Sequence, residues 1–369
     1  VLLFMLVASL ALLAPRISHA QSYDQGILLG AGATGNPHVR ALQSPSGAET
    51  ASFFAWNQAY GGGAPVAAGD VNGDGIEDII VGTGGSSGSD VTVRNGANPA
   101  AQLLYLAPYP GFSGGAFVAA GDIDGNGRDE IIVGAGAGGG PHVRVYDGIS
   151  GGLLAEFFAY GTAFTGGVRV AAADVDGDGR DDIITGAGGG GGPHVKVFRS
   201  YDRAEIRSFF AMDGNFYGGI FVAGGDINGD SYADIIVGAG AGGGPRLQIF
   251  DGRYNGSVIQ NFFAFDPAFG GGISVGATKK RRTGATQVLV GAGAGGGASV
   301  RVLSFATGSP VDARPVFAGF PGFQGQVWVA GYSYKKAPTP TAMATATTGS
   351  IIRSGTTGTT TPSPLPSGV

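Results

Sequence analysis

The chain has 369 residues, 43% of them hydrophobic, with a formal net charge of −5 and no cysteine. The apolar fraction is ample for a core, the acidic balance gives no reason to expect nucleic acid as a partner, and no disulfide can staple the fold. Glycine accounts for 73 residues, far above the usual share of about 7 per cent, and it recurs at fixed positions suited to turns and close backbone approach.

Residues 1–20 open with the apolar run VLLFMLVASLALLA, too short to span a bilayer comfortably, and Ser18-His19-Ala20 offers small residues at a cleavage spacing. This reads as a secretory signal peptide, truncated at its start because neither an initiating Met nor a basic segment precedes it. The expected mature chain therefore has no membrane span and is secreted or displayed at the cell surface.

From Gly26 the sequence enters a repeat in mid-unit, with ILLGAG, HVRAL and ETASFFAW. Complete units follow, and the one from Phe117 holds FVAAGDI, EIIVGAG, HVRVYDG and LLAEFFAY. These are short apolar runs rich in Val, Ile and Phe, bounded by glycine and lacking a 3.6-residue period, so they predict strands. Four strands per unit predict the blades of a β-propeller, an all-β fold. First strands lie near Val66, Val118, Val170, Val222, Val275 and Val329, which gives six blades. The unit ends with QVWVAGYSY from Gln326, and pairing this strand with the three N-terminal ones would complete a shared blade and close the ring. The propeller is expected over residues 21–335. Residues 336–369 are rich in Thr, Pro and Gly and read as a disordered spacer.

Each of four units carries one acidic loop, spaced 52 residues apart: DVNGDGIED from Asp70, DIDGNGRDE from Asp122, DVDGDGRDD from Asp174 and DINGDSYAD from Asp226. Oxygen-bearing side chains occupy loop positions 1, 3, 5 and 9. They are Asp70, Asn72, Asp74 and Asp78; Asp122, Asp124, Asn126 and Glu130; Asp174, Asp176, Asp178 and Asp182; and Asp226, Asn228, Asp230 and Asp234. Position 7, held by Ile76, Arg128, Arg180 and Tyr232, would lend a backbone carbonyl. Alternate residues of a tight turn point inward and the last carboxylate closes the shell, which is the ligand pattern of calcium. About four Ca2+ sites are expected, with Asp226 the weakest loop because Ser231 replaces the glycine of position 6. Thirteen of the 27 acidic residues occupy these positions, so the negative charge is mostly a ligand set. In the fifth unit the equivalent positions are Lys279, Arg281, Thr283 and Gln287, a turn that keeps Gly284 and loses its ligands.

These motifs resemble the FG-GAP repeats of the integrin alpha-chain N-terminal propeller and of many secreted bacterial proteins. The resemblance covers roughly residues 26–332 and rests on the acidic loops, on Phe269-Gly270, and on the G-A-G at Gly134, Gly238 and Gly291, where the family has G-A-P. It implies a calcium-binding propeller, and seven blades rather than six if the integrin count applies.

Loops joining strands 1 and 2 would carry calcium on one face, while the 2-to-3 and 4-to-1 loops emerge on the other. His38, His142 and His194 share one repeat position and read as rim or strand-capping residues, being too far apart to share an ion. Tyr60, Phe112, Phe164, Phe216, Phe269 and Phe323 precede the first strands and read as packing between blades. Contact with a ligand is expected from the variable 4-to-1 loops, at Tyr109, Tyr160, Asn215, Tyr217, Asp266 and Phe320. No nucleophile elbow, zinc helix or phosphate loop occurs, so the chain reads as a monomeric, non-enzymatic binding or adhesion module for an extracellular carbohydrate or protein. The competing readings are the propeller of a secreted polysaccharide-degrading or phospholipase-type enzyme, and a fragment of a larger surface protein.

Overall fold

The computed structural model describes residues 23–335, except 34, 45, 86–87, 279–285 and 306–308. The expected signal segment, the Thr/Pro/Gly-rich tail and most of the fifth loop lie outside the described residues.

Among the described residues all 24 regular elements are strands, arranged as six four-stranded antiparallel sheets. The chain begins with β1 (Tyr23–Ala31), β2 (His38–Gln43) and β3 (Glu49–Phe54). Blade 1 is β4 (Val66–Gly69), β5 (Asp78–Gly82), β6 (Val91–Arg94) and β7 (Gln102–Leu106). Blade 2 is β8 (Ala116–Gly121), β9 (Glu130–Ala135), β10 (His142–Tyr146) and β11 (Leu153–Phe158). Blade 3 is β12 (Val168–Ala173), β13 (Asp182–Ala187), β14 (His194–Phe198) and β15 (Glu205–Phe210). Blade 4 is β16 (Ile220–Gly225), β17 (Asp234–Ala239), β18 (Arg246–Phe250) and β19 (Val258–Phe263). Blade 5 is β20 (Ile273–Ala277), β21 (Gln287–Ala292), β22 (Ser299–Ser304) and β23 (Val311–Ala318). The closing blade has the order β24-β1-β2-β3, where β24 is Val327–Lys335. Successive inner strands touch around the axis and β24 touches β4, so the ring closes. Six blades are present, and the seven-blade alternative drawn from the integrin resemblance is not.

The burial pattern within a blade follows its distance from the axis. Second strands such as β9 (EIIVGA) are buried at every position because a neighbouring blade covers each of their faces, which is why they read as unbroken β-branched runs. Fourth strands such as β11 (LLAEFF) alternate exposed and half-buried residues at the outer edge. Six hydrophobic clusters form the core, and each lies between two consecutive blades. Ile80 and Val93 of blade 1 pack against Val118 and Ile131 of blade 2, for example, and Leu28 and Val39 of the closing blade pack against Ile79 and Val81 of blade 1. Close approach between blades dictates one repeated glycine. A Cβ on Gly82 would lie 2.2 Å from the Ala116 carbonyl oxygen, and one on Gly134 2.4 Å from that of Val168.

Candidate functional site

The four acidic loops each connect the first and second strands of blades 1 to 4, so all four emerge from the same end of the ring. Their carboxylates are fixed by the backbone of the turn. The position-1 aspartate accepts a common pair of N–H bonds: in blade 2, Gly125 N donates to Asp122 Oδ1 at 2.8 Å and Gly127 N to Asp122 Oδ2 at 2.9 Å, with Asn126 N adding a third at 3.0 Å. The same pair recurs on Asp70, Asp174 and Asp226. Position 3 accepts from the N–H of position 5, as Asp178 N donates to Asp176 at 3.2 Å. Position 5 accepts from position 7, and the N–H groups of Ile76, Arg128, Arg180 and Tyr232 donate to Asp74, Asn126, Asp178 and Asp230 at 2.8 to 3.0 Å. Such Asx turns bend the chain so that successive odd-numbered side chains face one point.

Position 6 must adopt a left-handed backbone, and Gly75, Gly127 and Gly179 do so with φ of 85°, 85° and 90°. Ser231 takes φ of 72° at the equivalent place, so the Asp226 loop keeps the turn despite losing its glycine. Its N–H still reaches Asp226 Oδ2, at 3.3 Å.

The position-9 carboxylates lie deepest, because they begin the buried second strands. Asp78, Asp182 and Asp234 have no exposed surface and Glu130 has 2%. Each accepts backbone N–H bonds: Asp182 takes those of Val175, Asp176 and Ser200, each at 3.2 Å. Burial nevertheless pushes Asp78, Glu130 and Asp182 up to about 7 and Asp234 to about 6, and neighbouring loop carboxylates add to the shift. Asp78 Oδ2 is buried without a hydrogen-bond partner. These are acceptors short of positive charge.

In two loops the carboxylates converge. One oxygen each from Asp122, Asp124 and Glu130, and one each from Asp174, Asp176 and Asp182, lie within 4.8 Å of one another. The loops from Asp70 and Asp226 have Asn at position 3, and the amides of Asn72 and Asn228 turn toward Asp78 and Asp234 at 3.4 and 3.5 Å. Oxygen donors of this kind suit a hard divalent cation.

Position 8, which the loop pattern leaves free, has its own role. Asp129 accepts the Asp70 N–H at 2.9 Å and donates its own N–H to the Asp70 carbonyl at 3.0 Å. Asp181 does the same to Asp122, at 3.2 and 2.9 Å. Glu77 accepts the Ser333 N–H at 2.7 Å, tying blade 1 to the closing blade. Each acidic loop is thereby bonded to the blade behind it. Three acids at one repeat position were the signal available in the sequence.

The other end of the ring differs from expectation in part. His38, His142 and His194 begin their strands and are sandwiched: His142 stacks on Phe158 at 4.6 Å and meets Tyr109 of the preceding blade at 5.5 Å. His194 repeats this with Phe210 and Tyr160, and His38 with Phe54 and Phe320. Their ring nitrogens engage Ser52, Glu156 and Ser208, so they are structural. Tyr109, Tyr160 and Phe320, expected as ligand contacts, pack inward instead. Tyr109 is 9% exposed, and its hydroxyl donates to the carbonyls of Val133 and His142 in the next blade. Asn215, Tyr217 and Asp266 are exposed as expected. The second aromatic set lies over the backbone, and a Cβ on Gly114 would meet Phe112 at 2.1 Å. Phe112, Phe216 and Phe323 pack against three of the inter-blade clusters.

The sequence-family profile for an FG-GAP-like repeat matches residues 70–133 and 122–185, and that for an FG-GAP repeat matches residues 218–259. No curated protein sequence matches the chain. Among solved structures, a protein of unknown function from Bacteroides caccae is similar at 10% identity and a TM-score of 0.53, over 84% of this chain and 99% of that one. A chain from a nidogen/laminin complex is similar at 11% identity and 0.53, over 84% and 98%. At these identities the likeness concerns the fold alone.

Proposed function

We propose that this six-bladed propeller of FG-GAP repeats is a calcium-stabilised recognition module of the extracellular space, binding a carbohydrate or a protein. The observation that carries the reading is the convergence of three carboxylates within 4.8 Å in each of two loops, on turns whose backbone already holds those oxygens in place. Calcium bound there would neutralise like charges that burial makes costly and would clamp the turn. Four sites fit the repeat. The Asp174 loop, with carboxylates at all four side-chain positions, would bind most tightly, and the loops with Asn72 and Asn228 less so. Millimolar calcium outside the cell suits loops of this class, in keeping with a cleaved leader over residues 1–20 and a spacer over 336–369.

The residues that would fix the loops also explain why a cation at one end serves recognition at the other. Each loop is bonded through position 8 to the preceding blade or the closing blade, so ordering the turns orders the inter-blade contacts. The opposite loops are then presented on a rigid ring. A calorimetric calcium titration with thermal melting tests the proposal: calcium should raise the melting temperature, and Asp174→Ala should remove more of that gain than Asp226→Ala. A melting temperature indifferent to calcium and to chelator would overturn it.

A further inference from the structure

The inner strands carry one position that does not repeat. Immediately before the recurring first-strand valines stand Pro65, Phe117, Arg169, Phe221, Ser274 and Trp328, one from each blade, and together they ring the mouth of the axial channel at the end opposite the acidic loops. The layer beneath them is valine in all six blades, so strands that repeat there present five side-chain types, with Phe twice, around one point.

Arg169 is the only cation in this ring. Its guanidinium lies over Phe117 at 5.0 Å and over Phe221 at 4.6 Å, and Trp328, across the ring, meets the same two phenylalanines edge-on at 5.5 and 5.4 Å. Cation–π contact holds the charge but supplies no hydrogen-bond acceptor. Arg169 Nε and Trp328 Nε1 are both buried without a hydrogen-bond partner. The ring contains no carboxylate, and the position-1 aspartates lie five residues further along the same strands, roughly 17 Å away at ~3.3 Å per residue. Burial lowers the Arg169 pKa only to about 10, which leaves it charged at neutral pH. Two unmet donors, one of them cationic, sit at the entrance of a cavity of about 60 Å3 lined by the ring and the valines below. A second, glycine-rich cavity shares Pro65, Phe117 and Trp328 with it and is lined by Gly62, Gly84, Gly114 and Gly115, so a sugar ring could lie against the aromatic edge.

We propose that the axial mouth binds an acidic saccharide, with a uronate carboxylate on Arg169 and the sugar ring packed over Phe117 and Trp328, its hydroxyls within reach of the indole N–H. This deepens the recognition reading above and rests on it, naming a site and a ligand class. A charged planar fork suits a carboxylate. The unmet donors favour an acidic ligand over a neutral one, because a neutral glycan would leave the guanidinium without a counter-charge.

The chain has two tryptophans, so Trp56→Phe leaves Trp328 as the sole tryptophan, whose emission is excited selectively over that of the tyrosines. Full-length Trp56→Phe protein is titrated with glucuronate oligosaccharides, with glucose oligosaccharides of equal length, and with an oligo-glutamate peptide. The expected result is saturable quenching by the glucuronate series alone, weakened at least tenfold by Arg169→Gln and partly restored by Arg169→Lys, with both variants melting close to the parent. Response to the peptide but not to the uronate assigns the site to a protein ligand and overturns the saccharide. Binding that survives Arg169→Gln, including calcium-bridged binding at the acidic loops, overturns the site, as does the absence of any response. Calcium-dependent melting is read on the same samples, so this inference can fail while the calcium reading stands, and the reverse.

Discussion

Replacing Asp129 with alanine removes one bond of the pair that ties blade 2 to the loop of blade 1. Its carboxylate accepts the Asp70 N–H at 2.9 Å in a site where both aspartates are 7% exposed, so the orphaned N–H cannot recover a full bond to water. A buried donor left without its charged acceptor costs about 2 to 3 kcal/mol. For a folded unit of this size that is a fall in melting temperature of roughly 5 °C. Alanine fits sterically, because blade 4 already carries Ala233 at this position and keeps the backbone bond from Ala233 N to the Asp174 carbonyl at 2.8 Å. The substitution therefore reports the carboxylate. Asp129→Asn keeps an acceptor and loses the charge, and should fall about halfway. Thermal and urea unfolding followed by circular dichroism, in saturating calcium and in chelator, measure the series; the loss should appear in both conditions because Asp129 is not among the expected ligands. An alanine variant within about 0.5 kcal/mol of the parent, or an asparagine variant no better than alanine, would refute the argument.

Ser231→Gly relieves a left-handed backbone at φ 72°, and the gain of about 1 kcal/mol is partly offset by unfolded-state entropy, leaving roughly 0.5 kcal/mol of stabilisation; a denaturant midpoint at or below the parent's would count against it. The pH dependence follows from the position-9 carboxylates, whose folded values near 6 to 7 lie above the ordinary values of 3.8 for Asp and 4.5 for Glu. A raised value means that protonation favours the folded state: this contribution is full below about pH 4 and is lost as pH rises through 6 to 7. In chelator the melting temperature should be higher at pH 5 than at pH 8, and calcium should add more at pH 8. A chelated protein that melts higher at pH 8 would sink this account.

The six blades were legible because the first strands recur every 52 to 54 residues, and because ILLGAG at one end and QVWVAGYSY at the other fit the two parts of one unit. The loops were legible through the spacing of their oxygens. Three features were not. Tyr109 stands three residues before Phe112 and Tyr160 four before Phe164, so their common packing role is hidden by an offset and they resemble variable loop residues. Asp129 and Asp181 fall at a loop position with no ligand role, and only the three-dimensional approach of consecutive blades shows what their carboxylates accept. The axial ring is invisible by the same logic in reverse: Phe117, Arg169 and Trp328 sit 52 or more residues apart and follow no single residue type. Fold closure alone makes them neighbours.

The seam between β1 and β24 pairs Tyr23 with Lys335 at one end and Ala31 with Val327 at the other. The outer ends of both strands are thus partners in the same rung. A load applied between Tyr23 and Lys335 pulls the two strands apart at that rung and then at the next, breaking the ladder in series rather than shearing all of it together. The ring is sturdy against forces that leave its two ends together and weak against forces that separate them.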